Sequence, residues 1–516
     1  MKDKGKGAES QGQTVAVFAD CPAQNYNEYD EGTQMKPKHE LLSNLAWKFG
    51  ERISAQLIST VVSIILARLL EPSHYGTVSM VMIFITIANI FVSDGLGSAL
   101  IQKKDADEVD FFSVLYFNIG FSCILYVILF FSAPLISMFF GEGYEALTPV
   151  LRVLGLRIIL TAINSIQQAY ISKKMMFRKF FLATLGGTIV SAVVGIAMAY
   201  GGYGVWALVA QYLVGTSVSS VTLGFAIGKR PKFVFSLNRV KALVPYGIRI
   251  LGTGLLITVY QELRSLIIGK KYSTDVLAFY DKGRSFPLLI VTNIISSISA
   301  VLFPKMSEEQ DDRQKLKSTT RNSIRFSALI LCPMMLGLAA VADSFVRVLL
   351  TDKWVPCVPL LQLFCIIYLF QPIHTANMQA IKAVGRSDIY LKLEIIKKVI
   401  ELAVLLTTMW ISVDAMVIGM AVCATAFTFV NAYPNIKLLN YGIKEQMADI
   451  LPPVVMSLIM GAAVLGVGLI PMPLIVKLIV QVAVGIAVYF GLALLTKNKE
   501  LLQLLKLLHI RKERSE

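Results

Sequence analysis

Apolar runs about twenty residues long recur along this 516-residue chain. Two of them read ERISAQLISTVVSIILARLL, at 51–70, and IVKLIVQVAVGIAVYFGLALL, at 475–495. A helix of that length crosses the roughly 30 Å hydrocarbon core of a bilayer. Hydrophobic residues make up 55% of the chain and charged residues only 16%, against about 25% in an ordinary soluble protein. The sequence therefore predicts an all-α, polytopic membrane protein.

Hydropathy predicts about fourteen transmembrane helices. They are expected at roughly 45–70, 77–100, 111–140, 147–171, 180–200, 204–227, 244–269, 278–303, 323–350, 357–382, 389–412, 414–438, 448–470 and 474–496. Alternate connections are rich in Lys and Arg, as at 173–179 and 229–241, whereas those between them, such as GGYG at 201–204, are nearly uncharged, with Lys270, Lys271 and Lys353 as the main exceptions. By the positive-inside rule, this alternation places both termini in the cytoplasm. It also accounts for the net charge of +15 without a nucleic-acid partner.

The chain contains an internal repeat. LARLLEPSHYGTV from Leu66 aligns with IGKKYSTDVLAFY from Ile268, and SALIQK at 98–103 aligns with AVLFPK at 300–305 with the same offset. With a few residues inserted, 147–156 matches 357–366. Since six spans is an even number, the two copies have the same orientation, as in transporters that alternate access at the interface of parallel repeats. A duplication retained only for packing is the alternative.

The predicted domains follow from this repeat. They are a disordered cytoplasmic tail at 1–40, an N-lobe of spans 1–6 at 41–230, a C-lobe of spans 7–12 at 231–440, two further spans at 441–496, and a basic cytoplasmic tail at 497–516. Because the first 34 residues are polar and lack an apolar core, they are not a signal peptide, and Met35 is a second candidate start.

Positive charge inside the membrane is the main functional signal. Helix 1 carries a polar stripe from Lys48 through Arg52 to Ser63, and helix 7 repeats it from Arg249 to Arg264. An intramembrane cation costs at least a few kcal/mol, so it is expected to face protein or water. The candidates for a cationic, substrate-binding cavity between the two halves are Arg52, Arg249, Arg264, Lys48, Arg152, Arg157, Lys282 and Arg284. The alternative is that these side chains snorkel to the interface.

Acidic residues are fewer. Glu262, Asp281 and Asp94 are candidates for an ion-coupling site, with ordinary ion pairing as the alternative. In helix 11, the spacing predicts i,i+4 ion pairs for Glu394–Lys398 and Lys397–Glu401, so that these charges neutralise one another.

Catalytic and metal-binding patterns are not found in the sequence. It contains no GxxxxGK[ST], HExxH or GxSxG motif, and its four histidines are dispersed. The six cysteines show no CxxC or paired spacing, which is typical of buried thiols rather than of disulfides or a zinc site. We therefore expect neither an enzyme nor a cofactor or bound metal.

Four phrases of the sequence carry a family resemblance. LARLLEPSHYG at 66–76, GLGSALIQKKD at 95–105, YGGYGVWALVAQ at 200–211 and LFPKMSEEQDD at 302–312 resemble signatures of bacterial polysaccharide exporters. These belong to the multidrug/oligosaccharidyl-lipid/polysaccharide (MOP) flippase superfamily, in the branch of the colanic acid and O-antigen exporters. The resemblance extends from about residue 40 to 496.

This resemblance implies a MATE-like fold with two six-helix bundles around a cationic cavity, lined by charged residues of helices 1, 2, 7 and 8. It further implies translocation of undecaprenyl-diphosphate-linked oligosaccharide across the bacterial inner membrane. Polysaccharide polymerase, glycosyltransferases, and H⁺ or Na⁺ are then candidate partners. The family has no strict catalytic motif whose residues could be transferred to this chain.

Two other functions are alternatives. A MATE-like multidrug or small-molecule antiporter requires acidic groups to bind cations, whereas the intramembrane charges here are mostly basic. A membrane-embedded oligosaccharide polymerase or ligase normally has a large extracytoplasmic loop, and the predicted connections on that side are about ten residues or shorter. The flippase is therefore the favoured interpretation.

Overall fold

A computed structural model describes the backbone of residues 38–93, 95–228 and 233–502, and the side chains of this part except those of 38–53 and Arg249. All regular structure in this part is helical, which confirms the all-α prediction. It divides into two compact units, one ending at Ala278 and one beginning at Phe279. The predicted lobe boundary lies at 230/231, but the first unit includes helix α9. The division into two lobes of six spans stays a prediction.

The helices of the first unit are α1 (Lys38–Leu69), α2 (Pro72–Ser93), α3 (Leu96–Gln102), α4 (Glu108–Phe140), α5 (Leu147–Gly155), α6 (Arg157–Lys173), α7 (Phe177–Tyr200), α8 (Val205–Ile227) and α9 (Leu237–Lys271). Helix α10 (Thr274–Glu308) begins in the first unit and continues in the second. The other helices of the second unit are α11 (Arg313–Leu349), a 3-10 turn (Asp352–Cys357), α12 (Val358–Leu369), α13 (Gln371–Ala383), α14 (Ser387–Thr408), α15 (Val413–Leu439), α16 (Ile443–Gly468) and α17 (Leu474–Leu495).

Each predicted span coincides with one helix or with a broken pair. Eleven helical segments of the described chain are long and apolar enough to cross a membrane, or twelve if the bent pair 237–248 and 250–271 is one span. Within α1, the apolar segment is Ser54–Leu69, which is shorter than the eleven segments that are long enough to span a membrane. Helix α14 does not qualify and carries several charged residues along its length. The chain is thus a multi-pass membrane protein, while the count of fourteen spans stays a prediction.

The fourth span of each repeat copy is broken. Predicted span 147–171 divides at Leu156 into α5 and α6, and span 357–382 divides at Phe370 into α12 and α13. In the second copy Pro372, in the first turn of α13, lacks the N–H that would continue the helix. The recurrence of the break supports the internal repeat.

Small residues bring α7 and α8 close together. A Cβ atom added to Gly187 would lie 2.1 Å from the hydroxyl oxygen of Ser219 and 3.0 Å from the Gly215 carbonyl oxygen. A Cβ on Gly215 would in turn lie 3.1 Å from that of Ser191. Within a membrane, where lipid is as apolar as the protein surface, such close backbone packing drives helix association.

Ion pairs join α11 to α16 in the second unit. Lys317, Arg321 and Arg325 recur every four residues on one face of α11. Lys317 pairs with Glu445 at 2.8 Å, and both arginines bind the buried carboxylate of Asp449. In the fold these cations hold α16 against α11.

Candidate functional site: a polar cavity in each unit

The first unit contains a polar cavity of about 490 Å³. Helices α1, α6, α7 and α8 enclose it. Its lining residues are Ala55, Gln56, Ser59, Val62, Arg157, Asn164, Thr188, Ser191, Gln211, Tyr212, Gly215, Thr216 and Ser219. Hydroxyl and amide groups predominate, and among the described residues one charged side chain, Arg157, belongs to the lining.

The Arg157 guanidinium is held in place by α8 and α2. Its Nε donates a hydrogen bond to the Thr216 hydroxyl at 3.2 Å, and its Cζ lies 5.1 Å from the centroid of the Tyr212 ring. Its Nη1 lies 3.6 Å from the thioether sulfur of Met82, a weak acceptor. Within the described chain no carboxylate forms an ion pair with it. The cavity therefore has a positive charge that no acid among the described side chains neutralises.

Local helix geometry accounts for this arrangement. Arg157 is the first residue of α6, after the break at Leu156, and Asn164 lies two turns later on the same face. Tyr212 and Thr216 are spaced i,i+4 on α8, so they share the face that contacts Arg157. Two polar side chains of α8 thus contact one guanidinium.

The second unit has its own polar cavity, of about 430 Å³. Helices α10 and α12–α15 enclose it. Its lining residues are Ile295, Ser299, Ile367, Tyr368, Gln371, His374, Thr375, Met378, Gln379, Lys382, Tyr390, Glu394, Lys397, Lys398, Glu401, Ala424, Phe427 and Asn431.

The charged groups of α14 line this second cavity and pair along the helix. Lys397 pairs with Glu394 at 2.5 Å, and Lys398 pairs with Glu401 at 3.0 Å. Both pairs have i,i+3 spacing, so the predicted i,i+4 pairing of Glu394 with Lys398 and of Lys397 with Glu401 is wrong. Both spacings lie within reach on one helix face, and the rotamers decide between them. The expectation that these charges are paired along α14 holds in the structure.

The structure places the other predicted cations in different surroundings. Arg152 donates to the Phe130 carbonyl oxygen at 3.3 Å and lies over the Phe130 ring, outside both cavities. The Arg264 guanidinium lies 5.7 Å from the centroid of the Tyr260 ring, one turn earlier on α9. Neither of these arginines shares a cavity with Arg157.

In the second unit, Lys282 is buried on α10, with its Nζ 5.6 Å from the centroid of the Trp354 ring. Arg284 lies beside the Tyr368 phenol, whose ring lines the second cavity. The predicted coupling acids Glu262 and Asp281 are partly buried on α9 and α10. The side chains of Lys48, Arg52 and Arg249, and all of Asp94, lie outside the described residues, and the cationic cavity between the halves stays a prediction.

Sequence reasoning identified Arg157 but not its surroundings. Tyr212 and Thr216 are spaced i,i+4, and this spacing is visible in the sequence. Hydroxyl groups are common in membrane helices, however, so the spacing is only a weak indication of a binding site. Lys382, which is not among the predicted cavity residues, lines the second cavity. Among the described residues, no three His, Cys, Asp or Glu side chains come together as metal ligands.

The fold is similar to that of solved membrane transporters. A lipid II flippase, MurJ, in an inward closed conformation superimposes with a TM-score of 0.70 at 15% identity, over 89% of this chain and 99% of that one. An inward-facing multidrug resistance MATE family transporter of the MOP superfamily gives a TM-score of 0.56 at 16% identity, over 74% and 95%. The predicted MATE-like fold is confirmed.

Sequence relatives agree with the predicted family. The succinoglycan biosynthesis transport protein ExoT of Rhizobium meliloti is 25% identical over 490 residues, which cover 92% of this chain and 96% of that protein. The lipopolysaccharide biosynthesis protein WzxC of Escherichia coli is 22% identical over 70% of this chain and 74% of its own length. The names describe no enzyme, in agreement with the expectation for this chain. A family model described as "Polysaccharide biosynthesis protein" matches residues 65–359, and the chain therefore belongs to this polysaccharide biosynthesis protein family.

Proposed function

We propose that this protein is a flippase that carries undecaprenyl-diphosphate-linked oligosaccharide from the cytoplasmic to the periplasmic leaflet of the bacterial inner membrane. The observation that carries the proposal is the cavity of the first unit, which is lined by hydroxyl and amide groups and has an arginine that pairs with no described acid. Such a lining inside an apolar helical protein fits a polar, anionic cargo.

The energetics favour a polar path for this cargo. Removing a hydroxyl group from water without a new hydrogen-bond partner costs about 2–7 kcal/mol. An oligosaccharide with on the order of ten hydroxyl groups would therefore face tens of kcal/mol in bare hydrocarbon. Gln56, Asn164, Gln211 and their hydroxyl neighbours can replace part of the lost water, while the prenyl chain remains in lipid.

Arg157 is the residue proposed to bind the diphosphate. A guanidinium presents parallel N–H donors that match two phosphate oxygens, which a lysine ammonium cannot do. Its hydrogen bond to Thr216 and its contact with Tyr212 fix its orientation while leaving other N–H donors for a ligand. The proposed transport mechanism is alternating access. One repeat rocks against the other, and this motion changes the leaflet to which the cargo is exposed.

The relatives add support of a different kind. ExoT is named a transport protein of polysaccharide biosynthesis, and it matches almost the whole chain. The rival multidrug antiporter would need acidic groups to bind cations, whereas among the described residues no acidic group lines the first cavity. We place both termini in the cytoplasm because of the basic connections. The proposed partners are polysaccharide polymerase, glycosyltransferases and H⁺ or Na⁺.

The experiment that tests this function is transport in proteoliposomes. Undecaprenyl-diphosphate-linked oligosaccharide with a nitrobenzoxadiazole label on its sugar is incorporated in both leaflets, and external dithionite quenches the label that becomes accessible. The full-length protein is expected to make the inner pool accessible, and Arg157→Ala to slow this step by about 10- to 100-fold, since a hydrogen bond to a charged group is worth about 1.5–3 kcal/mol.

The matched control is Arg386→Ala. Arg386 is 48% exposed and pairs with Asp388 outside both cavities, so its loss is expected to change the rate by less than about twofold. An Arg157→Ala protein that transports at the wild-type rate would remove Arg157 from substrate binding. Wild-type protein that never exposes the inner pool would refute the flippase.

A further inference from the structure

His374 is a titratable residue in the second unit to which the proposed cargo-binding site assigns no role. It lies on α13, where it is partly buried and lines the second cavity, within a segment long and apolar enough to cross a membrane. Ionisable side chains inside membrane helices are costly, and they occur where a transporter binds ions or moves protons. Histidine changes its charge near neutral pH, so it suits the movement of protons.

The hydrogen bonds of the imidazole identify the nitrogen that can take up a proton. The Thr428 hydroxyl donates to the Ala424 carbonyl oxygen at 3.2 Å, so that its oxygen can accept from His374 Nε2, 3.4 Å away. Nδ1 lies 2.7 Å from the amide nitrogen of Asn431, a group that only donates. The arrangement therefore fits a neutral imidazole with its proton on Nε2 and a lone pair on Nδ1.

The Asn431 side chain also has a group that suits the protonated imidazole. Its amide oxygen is buried and has no hydrogen-bond partner among the described residues. A buried acceptor is costly to leave unpaired. If His374 Nδ1 gains a proton, rotation of the amide by half a turn brings this oxygen to the new N–H. The amide can thus form a hydrogen bond with either form of the imidazole.

Histidine is the residue type in this cavity that ordinarily titrates near neutral pH. The other titratable residues of the lining are Tyr368 on α12, Lys382 on α13, and Tyr390, Glu394, Lys397, Lys398 and Glu401 on α14. The lining residues of α10 and α15 that the structure describes are uncharged. The Lys397 ammonium acts electrostatically on His374 and is itself paired with Glu394 at 2.5 Å.

Buried amides connect His374 with the helix ends that the basic connections place in the cytoplasm. Asn435, one turn after Asn431 on α15, donates to the Asn377 amide oxygen at 2.6 Å, and Asn377 donates to Gln446 of α16 at 2.7 Å. These three amides are fully buried, and the Asn435 oxygen also lacks a partner within the described chain. Buried polar atoms of this kind are typically satisfied by water, which can pass on a proton.

We infer that His374 binds a proton at Nδ1 during transport and releases it towards the cytoplasm along the amide-lined interface of α13 and α15. The proton is taken from water that reaches the cavity from the periplasm and is returned to water in the cytoplasm, so the imidazole ends each cycle unchanged. This inference rests on the proposed flippase function and identifies H⁺ as its coupling ion.

The test measures cargo transport and proton entry in proteoliposomes. The dithionite assay follows the labelled cargo, and parallel vesicles with unlabelled cargo contain pyranine, a pH-sensitive dye. Valinomycin and K⁺ hold the membrane potential at zero. When the interior is about two pH units more alkaline than the medium, wild-type transport is expected to rise about tenfold and to acidify the interior, since one coupled proton contributes up to about 100-fold across that gradient.

Two variants act on the site in different ways. His374→Gln keeps hydrogen-bonding groups but cannot carry the extra proton, so its response to the gradient is expected to be less than about twofold, without proton entry. Asn431→Asp places a carboxylate beside Nδ1 and stabilises the protonated imidazole. With equal pH on both sides, it is expected to raise the midpoint of the pH profile of transport by about one unit or more.

The matched control is His74→Gln, in the first turn of α2 and outside both cavities, which is expected to respond to the gradient like the wild type. The proton site is refuted, while the flippase function stands, if wild-type transport neither responds to the gradient nor admits protons, or if His374→Gln retains both properties. If His374→Gln does not fold, an unmoved midpoint in Asn431→Asp refutes the site. If the wild-type protein exposes no cargo at any pH, the flippase function itself fails.

Discussion

The buried carboxylate of Asp449 provides the sharpest test of how the second unit is held together. Its side chain is 2% exposed and accepts hydrogen bonds from two arginines of α11. Arg321 donates through Nε at 2.7 Å and Nη2 at 3.0 Å, and Arg325 donates through Nε at 2.8 Å. The Tyr441 hydroxyl adds a further bond at 2.7 Å. The change to consider is Asp449→Asn, which keeps the shape and removes the charge.

The magnitude follows from this geometry. The amide nitrogen of asparagine would face N–H and O–H donors, so that at least one charged hydrogen bond, worth about 1.5–3 kcal/mol, is lost. Breaking a fully buried ion pair costs about 3–5 kcal/mol. Because the side chains of Arg321 and Arg325 remain 37% and 29% exposed, water compensates in part, and we expect a loss of about 3 kcal/mol. At about 2–4 °C per kcal/mol for a unit of this size, Tm should fall by roughly 6–12 °C.

The assay uses the cysteines of the second unit. Cys332, Cys357, Cys365 and Cys423 are all buried there, so a thiol-reactive dye follows its thermal unfolding in detergent, above a baseline to which the exposed Cys123 contributes.

The matched control for this change is Asp388→Asn, whose carboxylate is 51% exposed and pairs with Arg386. Its effect should be less than about 1 kcal/mol. Equal melting temperatures for Asp449→Asn and the control would show that the ion pairs do not hold α16 to α11.

Two further predictions concern the first unit. Gly187→Val should lower Tm or the yield of folded protein through a packing cost of about 1–3 kcal/mol, because its Cβ would meet the Ser219 hydroxyl. Gly186→Val, with open space around its Cβ, is the control. Equal thermal unfolding of the two variants would contradict the packing argument. The backbone N–H of Asp110 holds the pKa of the Asp107 carboxyl below its ordinary value. This contribution to stability is present above the unfolded pKa of about 4 and is lost as pH falls through the folded value. Tm measured from pH 7 to 3 should therefore fall less steeply for Asp107→Asn than for the wild type, and parallel curves would refute this.

Helix positions could be predicted from the sequence because they are local properties in a membrane. A spanning helix satisfies its own backbone hydrogen bonds, so length and hydropathy suffice to locate it. The span predicted at 111–140 is the helix Glu108–Phe140, and that predicted at 204–227 is Val205–Ile227. The repeat, the fold class and the family could likewise be inferred from linear patterns.

The partners of charged side chains depend on which helix faces meet. Arg321 and Asp449 are 128 positions apart, and nothing in the hydropathy of either segment indicates that they pair. Arg157 could be identified as an intramembrane cation, but its position beside Thr216 depends on the break at Leu156 and on how α6 packs against α8. The linear pattern of apolar residues is enough to place the helices, because each satisfies its own backbone. The two cavities and the charges that line them arise only when helices distant in sequence pack together, since side-chain contacts between helices depend on three-dimensional proximity.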